Sequence, residues 1–289
     1  MRPKLESISL TINDNAVVGI RQRDPSLDAP CMLCVHGWLD NANSFVPMMP
    51  HLPSFDLVAI DMPGHGYSDH LNLSYTMHEM VYQLIRVIQE LNWSHCHLVG
   101  HSLGGSVAMM LAVALPEAVQ SLTLIDSSGP LSESASQFPD RMRRSIKDRL
   151  AVKPTQARVF AHKKEAVAAR LNATTMAYSS AKLIIDRQVI KTEDGYQWRF
   201  DPRWRHASSQ YQTEEQVKAL LSALDCPVMT VLADQGYLAD RPATADRLSC
   251  LKDHHSVNIS GHHHLHMDTP EPVAAAINQF LGATPALGG

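Results

Sequence analysis

Short, largely apolar runs alternate with amphipathic segments along much of the chain. The runs lack the in-out alternation of half-exposed strands, and they are CMLCV (31–35), DLVAI (56–60), HCHLVG (95–100), SLTLID (121–126), PVMTVL (227–232) and HSVNIS (255–260). Short apolar runs of this kind are typical of parallel strands that are buried on both faces. The pattern therefore predicts a strand at each of these places.

Helical periodicity fills several of the intervals between the runs. Apolar residues recur at three- and four-residue spacing from Met77 to Leu91. The segment from Leu103 to Leu115 is apolar on all sides, which predicts a buried helix that ends before Pro116. The segment from Val273 to Leu281 follows two prolines, which suit the start of a helix. Strands that alternate with helices indicate a parallel sheet with helices on its faces. An N-terminal hairpin, LESISLTI and AVVGIRQR, adds two strands, so we expect an α/β fold with a mostly parallel, eight-stranded sheet.

The alternation stops between about residues 130 and 222. This stretch is rich in Arg, Lys, Ala and Ser, and its pattern predicts helices near 136–151, 155–171, 173–188 and 210–224, with a hairpin in VIKTEDGYQWRF. We predict a core of residues 1–129 and 223–289 that is interrupted by a helical cap, residues 130–222. Five apolar residues are candidates either for pocket walls or for plain packing of the cap: Met176, Tyr178, Trp198, Phe200 and Trp204.

The composition is that of an ordinary globular protein. The chain of 289 residues is 45% hydrophobic, which is enough to bury a core without disulfides, and its net charge of −4 comes with no long basic run. Nucleic acid is therefore not expected as a partner. No apolar stretch suits a signal peptide or a bilayer span of ~20 residues, so we expect a cytoplasmic protein. The five scattered cysteines are expected to be free thiols.

Residues 100–104, GHSLG, stand between the predicted strand HCHLV and the helix that follows. G-x-S-x-G in this context places the serine on a sharp strand-to-helix turn, where the glycines avoid crowding of the backbone. Ser102 is therefore the candidate nucleophile, and the alternative is a serine that only packs in a tight turn. The backbone N–H of Leu103, at a helix N-terminus, would face the place where an oxyanion forms.

A second oxyanion donor is expected at the end of an earlier strand. HGWLD (36–40) follows CMLCV, and Gly37 permits a tight turn there. The N–H of Trp38 would then face the same oxyanion. The alternative is that this turn only ends the strand and packs its tryptophan.

Three motifs together resemble the α/β-hydrolase superfamily: HGW at 36–38, DMPGHGYSD at 61–69 and GHSLGG at 100–105. The resemblance covers the predicted core, roughly residues 5–128 and 225–282. HGWLDNANSF, GHSLGG, LIDS, ADQGY and GHHHLHMDTP are more specifically similar to the serine hydrolase-like family. The resemblance implies the α/β-hydrolase fold, a cap formed by the inserted helices, and a structural role for DMPGHGYSD.

In that fold the chain order is serine, acid, histidine, so the base should follow the last strand, in GHHHLHMD (261–268). Related hydrolases carry H-x-x-x-x-E-x-P there, and counting back from Pro270 selects His263, whereas counting from Gly261 would select His262. A metal site is the rival explanation. Adjacent histidines point in different directions, however, and no Cys or Glu cluster completes a coordination shell, so no metal is expected.

The two remaining histidines, His264 and His266, are expected to be partly exposed loop and pocket-lining residues.

The acid has three candidates. Alignment of PVMTVL with related hydrolases puts the usual acid position at Gly236, which has no carboxylate, and its neighbours are Asp234 and Asp240. Some members of the superfamily place the acid at the end of the preceding strand, and SLTLID ends in Asp126. The resemblance favours Asp126, with Asp234 and Asp240 as alternatives, as the acceptor of a hydrogen bond from Nδ1 of the base.

These residues predict a serine hydrolase that cleaves a small carboxylic ester through an acyl-enzyme on Ser102, with amides and thioesters as other acyl substrates. No cofactor is required, and the expected partner is a small-molecule acyl substrate. Two alternatives stay open. One is a cofactor-independent dioxygenase of the same fold, suggested by HGW and Asp126, and the other is a non-catalytic ligand-binding protein.

Overall fold

A computed structural model describes residues 4–23, 29–72, 74–151 and 158–283. Its strands are β1 (Leu5–Ile12), β2 (Asn15–Gln22), β3 (Cys31–Val35), β4 (Asp56–Ile60), β5 (Cys96–His101), β6 (Val119–Ile125), β7 (Val159–Phe160), β8 (Val189–Thr192), β9 (Gly195–Trp198), β10 (Val228–Gln235) and β11 (His254–His262). Its helices are α1 (Met77–Glu90), α2 (Leu103–Ala114), α3 (Phe138–Leu150), α4 (Lys163–Ala173), α5 (Tyr178–Gln188), α6 (Glu214–Ser222), α7 (Ala243–Leu248), α8 (Leu265–Asp268) and α9 (Pro270–Ala283).

Eight of the strands form one sheet in the order β1-β2-β4-β3-β5-β6-β10-β11. β1 and β2 form an antiparallel hairpin, and β2 also runs antiparallel to β4. The six strands β4-β3-β5-β6-β10-β11 pair in parallel. The prediction of a mostly parallel, eight-stranded sheet is confirmed. Parallel pairing brings the carboxyl ends of β3, β5, β6, β10 and β11 to one edge of the sheet, and the loops that leave this edge carry the candidate site.

Alternate residues of the central strands point to opposite faces of the sheet, as the pleat requires. Leu33 and Val35 of β3 join the apolar cluster under α1 and α2, whereas Met32 and Cys34 join the cluster on the other face, under α9. Both faces are therefore covered by helices, which explains why these strands are apolar at successive positions.

All five cysteines are free, and burial raises the pKa of the Cys31 thiol to about 11.

The segment between β6 and β10 contains α3 to α6 and a small antiparallel sheet in the order β7-β9-β8. The predicted hairpin VIKTEDGYQWRF is formed by β8 and β9. The helix predicted over 155–171 is wrong in its first half: residues 155–157 lie outside the described residues, β7 follows, and the helix begins at Lys163. Phe160 pairs with Tyr196 of β9 and packs edge-on against Trp198, so tertiary packing overrides the local pattern. The core and cap limits at 129/130 and 222/223 stay a prediction.

A buried ion pair joins this segment to the loop DMPGHGYSD. Asp61, directly after β4, accepts hydrogen bonds from Nε of Arg187 in α5 at 2.9 and 2.8 Å. The backbone N–H groups of Ala42 and Tyr67 donate to the same carboxylate at 2.8 Å each. The loop therefore connects α5 to the edge of the sheet.

Among the described residues, no helix has both the length and the apolar character that crossing a membrane requires.

Candidate active site

Ser102 lies between β5 and α2 with φ 53° and ψ −118°. A non-glycine residue in this sparsely populated region stores backbone strain, which is common at functional sites. The turn is held by a hydrogen bond from the N–H of Ser102 to the carbonyl of Ile125, at 3.0 Å, and by Oγ of Ser127, which donates to the carbonyl of Ser102 at 2.9 Å. The sharp strand-to-helix turn that the motif predicts is therefore present.

Close backbone contact brings the two candidate oxyanion donors to the same edge of the sheet. A Cβ on Gly104 would lie 2.0 Å from the carbonyl oxygen of Val35, so only glycine allows the first turn of α2 to touch the end of β3. Among the hydrogen bonds of the described residues, none uses the backbone N–H of Trp38 or of Leu103. Two backbone donors are thus left for a ligand oxygen. The Trp38 indole is 49% exposed, and its Nε1 donates to the carbonyl of Trp204 at 2.9 Å.

His263 and Asp126 form a buried hydrogen-bonded pair. Nδ1 of His263 donates to Oδ2 of Asp126 at 2.5 Å, and their residues are 6% and 2% exposed. The backbone N–H of Tyr237 donates to the same carboxylate oxygen at 2.9 Å, and its ring stacks on the imidazole of His263 with 3.9 Å between the ring centroids. The carboxylate and the stacked ring together hold the imidazole in one orientation.

The electrostatics of this pair favour a neutral imidazole and an ionised carboxyl group. Burial opposes ionisation of Asp126, but hydrogen bonds from His263 and from the N–H of Tyr237 outweigh it and lower the pKa of the carboxyl group. Burial, together with the nearby ring of His101, lowers the pKa of His263 to about 4, although Asp126 acts in the opposite direction. At neutral pH, His263 thus carries its proton on Nδ1 and offers a free electron pair on Nε2.

The alternative acids, Asp234 and Asp240, differ from Asp126 in burial and in hydrogen-bond partners. Asp234 is exposed and accepts a hydrogen bond from the backbone N–H of Gly261 at 2.9 Å, and Asp240 is exposed as well. In the part of the chain that the structure describes, neither of them is hydrogen-bonded to His263. Of the three carboxylates considered from the sequence, the structure brings only Asp126 to the imidazole.

Ser102 and Asp126 follow neighbouring strands, because His101 of β5 pairs with Ile125 of β6. Nε2 of His101 donates to the backbone carbonyl of His263 at 2.8 Å, so the residue before Ser102 holds the loop that carries the imidazole. Among the hydrogen bonds of the described residues, none joins Oγ of Ser102 to His263. The structure thus pairs base and acid directly and places the serine in the turn that follows the neighbouring strand, β5.

The other histidines of GHHHLHMD differ from the expectation. His262 is half-buried, but His264 and His266 are fully buried, so the expectation of partly exposed residues is wrong. The ring of His264 contacts Asp40 and Arg170, and the ring of His266 packs against Phe45. Arg170 and Asp40 are distant in sequence, so the local pattern gives no signal of this burial.

A cleft of about 280 Å³ opens beside His263. Apart from His262 and His263, sequence reasoning missed the residues that line it, because they form no chemical pattern. Trp204, a predicted candidate wall, stacks instead against Tyr75 with 4.7 Å between the ring centroids. The lining is largely polar and consists of residues 171–175, Gln235, Tyr237, His262 and His263.

Comparisons with known proteins agree with this architecture. The family model for the alpha/beta hydrolase fold matches residues 30–268. The chain is 31% identical to the serine hydrolase-like protein of Danio rerio over 270 residues, which is 89% of this chain and 82% of that protein. Among solved structures it is similar to a hypothetical protein from Pseudomonas aeruginosa PAO1, with a TM-score of 0.89, 32% identity and coverage of 96% and 98% of the two chains. It is also similar to the thioesterase domain from the curacin biosynthetic pathway, with a TM-score of 0.85, 25% identity and coverage of 96% and 99%.

Proposed function

We propose that this chain, which belongs to the alpha/beta hydrolase fold family, cleaves small carboxylic esters. In this proposal Ser102 is the nucleophile, His263 is the base and Asp126 is the acid. Membership of the family and similarity to serine hydrolase-like proteins support a hydrolase. The observation that carries the assignment of residues is the buried hydrogen bond of 2.5 Å from Nδ1 of His263 to Oδ2 of Asp126.

In this proposal Nε2 of His263 takes the proton of Ser102 as Oγ attacks the acyl carbon. The N–H groups of Trp38 and Leu103 stabilise the oxyanion, and Asp126 stabilises the imidazolium. The tetrahedral intermediate then expels the alcohol, which receives the proton from His263. Water attacks the acyl-enzyme by the same steps in reverse order, with His263 again taking a proton, and the carboxylic acid leaves with Ser102 restored.

The cleft beside His263 favours a small substrate with polar groups. Its volume of about 280 Å³ is just below the range of about 300–1,000 Å³ for small-molecule sites, and the polar residues Asn172, Thr174 and Thr175 belong to its lining. A short acyl group therefore fits better than a long aliphatic chain. Thioesters are the second substrate class to test, because the solved relative of 25% identity is a thioesterase domain.

The test combines covalent labelling with turnover. Wild type and Ser102→Ala are treated with a fluorophosphonate probe and assayed on p-nitrophenyl esters of increasing acyl length, with Ser94→Ala, an exposed serine, as the matched control. We expect labelling of wild type and Ser94→Ala only, with the highest kcat/KM on short acyl chains.

Equal labelling of Ser102→Ala would remove Ser102 as nucleophile. Oxygen uptake with an aromatic N-heterocycle and no ester cleavage would favour the dioxygenase alternative. A folded protein that binds a ligand in the cleft, but neither reacts with the probe nor turns over, would be a binding protein.

A further inference from the structure

The helix α3 of the inserted segment exposes an apolar stripe to solvent. The stripe consists of Phe138, Met142, Ile146 and Leu150, which recur every four residues and so lie along one side of the helix. They are 45, 48, 49 and 82% exposed. Among the described residues, none of the four joins an apolar core cluster. Contiguous exposed apolar surface of this kind marks an interaction site, whereas single exposed apolar residues need no explanation.

The side of α3 that faces the rest of the protein is polar. In this helix, all of which is described, only Ser145 is buried. The guanidinium carbon of Arg141 lies 3.5 Å from the centroid of the Tyr211 ring, and Asp148 accepts a hydrogen bond from the backbone N–H of Ala207 at 2.8 Å. Polar contacts therefore hold the helix, and its apolar stripe points away from the core, which is the reverse of an ordinary surface helix.

Cationic side chains border the apolar stripe. α3 has five Arg or Lys residues and two Asp residues, so its net charge is +3 in a chain of net charge −4. Arg143 pairs with Asp140 at 2.6 Å, but both side chains are more than 70% exposed, and in the described part of the chain no carboxylate pairs with Lys147 or Arg149. A shallow, almost wholly apolar groove on this side is lined by Met142, Arg143, Ile146, Lys147, Leu150 and Ala151. An apolar stripe bordered by cations is the pattern of a helix that lies in a membrane surface.

We propose that α3 docks the protein onto the surface of an anionic lipid bilayer, with the apolar stripe at the boundary of headgroups and acyl chains and the cations at the headgroups. The 13 residues of α3 span about 20 Å, so the helix lies along the surface and does not cross a hydrocarbon core of about 30 Å. A fluid bilayer accommodates four projecting side chains of different shape. A second copy of the chain fits less well, because a two-fold interface would bring two helices of like charge together.

Sedimentation with lipid vesicles tests this docking without any use of turnover. The full-length protein is mixed with vesicles of phosphatidylcholine alone or of phosphatidylcholine with about 30% phosphatidylserine. We expect binding to the anionic vesicles that is at least about 10-fold stronger than to the neutral ones and that weakens at high salt. Ile146→Ser should weaken it by at least about 10-fold, because an aliphatic side chain no longer leaves water. Lys147→Gln should weaken it by about fivefold, the usual effect of one cation at an anionic surface.

Two variants outside α3 are the matched controls. Leu5→Ser removes an apolar residue of β1 that is 40% exposed, and Lys252→Gln removes an exposed cation after α7, so both should bind like wild type. Circular dichroism checks that every variant is folded. Absence of binding, equal binding to both kinds of vesicle, or unchanged binding of Ile146→Ser and Lys147→Gln would overturn the proposal. A dimer in light scattering that Ile146→Ser dissociates, without vesicle binding, would assign the apolar stripe to a second copy and overturn it too.

Discussion

A Cβ built on Gly236 would lie 2.5 Å from Oδ2 and 2.6 Å from Oδ1 of Asp126. Gly236 follows β10, at the place where the resemblance puts the usual acid, and Asp126 follows β6, the parallel neighbour of β10. The carboxylate of Asp126 therefore occupies the space that a side chain at position 236 would need. Only one of the two strands can supply a side chain to this space, which explains why a glycine stands opposite the aspartate.

Gly236→Ala should therefore reduce activity by at least about 10-fold while the protein stays folded. The backbone of Gly236 is outside the left-handed region, so alanine meets the carboxylate and not a conformational penalty. Displacement of Asp126 would disturb the orientation of His263, and its complete loss in Asp126→Asn should cost roughly 10³–10⁴-fold in kcat. Steady-state kinetics on a short p-nitrophenyl ester measures both effects.

The matched control for the acid is Asp234→Asn, which should keep activity within about twofold of wild type because Asp234 is exposed and contacts the backbone of Gly261. The double variant Asp126→Gly/Gly236→Asp tests the exchange of strands and should recover part of the activity lost in Asp126→Asn. Near-normal turnover of Asp126→Asn with collapse of Asp234→Asn would move the acid to Asp234.

Gly104→Ala should lower the free energy of unfolding by at least about 1–3 kcal/mol, because its Cβ would lie 2.0 Å from the carbonyl oxygen of Val35. The contrasting glycine is Gly282 in α9, whose added Cβ meets nothing within 4 Å. Gly282→Ala should be neutral or stabilising by up to about 1 kcal/mol, as expected for alanine in a helix. Urea unfolding monitored by circular dichroism separates the two, and equal stability of both variants would contradict the close contact of α2 with β3.

Most strands of the large sheet were predictable because their burial on both faces gives a local pattern in the sequence. The failure at β7 has a physical reason: two residues are too few to show a period, and the pairing of Phe160 with Tyr196 depends on a strand that begins 35 residues later. A hydrophobic pattern reveals only those strands and helices that are long enough to show its period. Short strands in the inserted segment are determined by their partners.

The candidate site divides in the same way. Ser102 belongs to a local motif, and the chain order and a proline select His263, so pattern and resemblance were sufficient to name both as candidates. The stacking of Tyr237 on His263 and the burial of His264 beside Arg170 depend on loops that are far apart in sequence. No local pattern signals such contacts, and the polar wall of the cleft was missed for the same reason.

The acid limb of the pH profile should report the pKa of His263. Burial and the ring of His101 lower this pKa to about 4, so kcat/KM should stay high as the pH falls below 6.5 and reach half of its maximum near pH 4. His101→Gln removes one of the groups that lower the pKa and retains an amide N–H for the carbonyl of His263. The half-maximum should therefore move to higher pH in this variant.

Circular dichroism at each pH is the control for unfolding, since the same shift also affects stability. The folded pKa of His263 is lower than the unfolded one, so between about pH 6.5 and 4 the unfolded state binds more protons and stability falls as the pH is lowered. A half-maximum near 6.5 in the folded wild type, or an unchanged profile in His101→Gln, would contradict the effect of burial and of His101 on the imidazole.

Two ion pairs of opposite exposure should differ strongly in their contribution to stability. Arg187 and Asp61 are buried, and Nε of the arginine donates to both carboxylate oxygens, whereas Lys252 and Asp225 are 60% and 69% exposed at a distance of 2.8 Å. Arg187→Met leaves a buried carboxylate with only backbone donors and should cost about 3–5 kcal/mol. Lys252→Met should cost less than about 1 kcal/mol, because water solvates both charges. Urea midpoints at constant m-value measure the two effects, and a cost below about 1 kcal/mol for Arg187→Met would mean that apolar packing, and not this pair, holds α5 against the loop after β4.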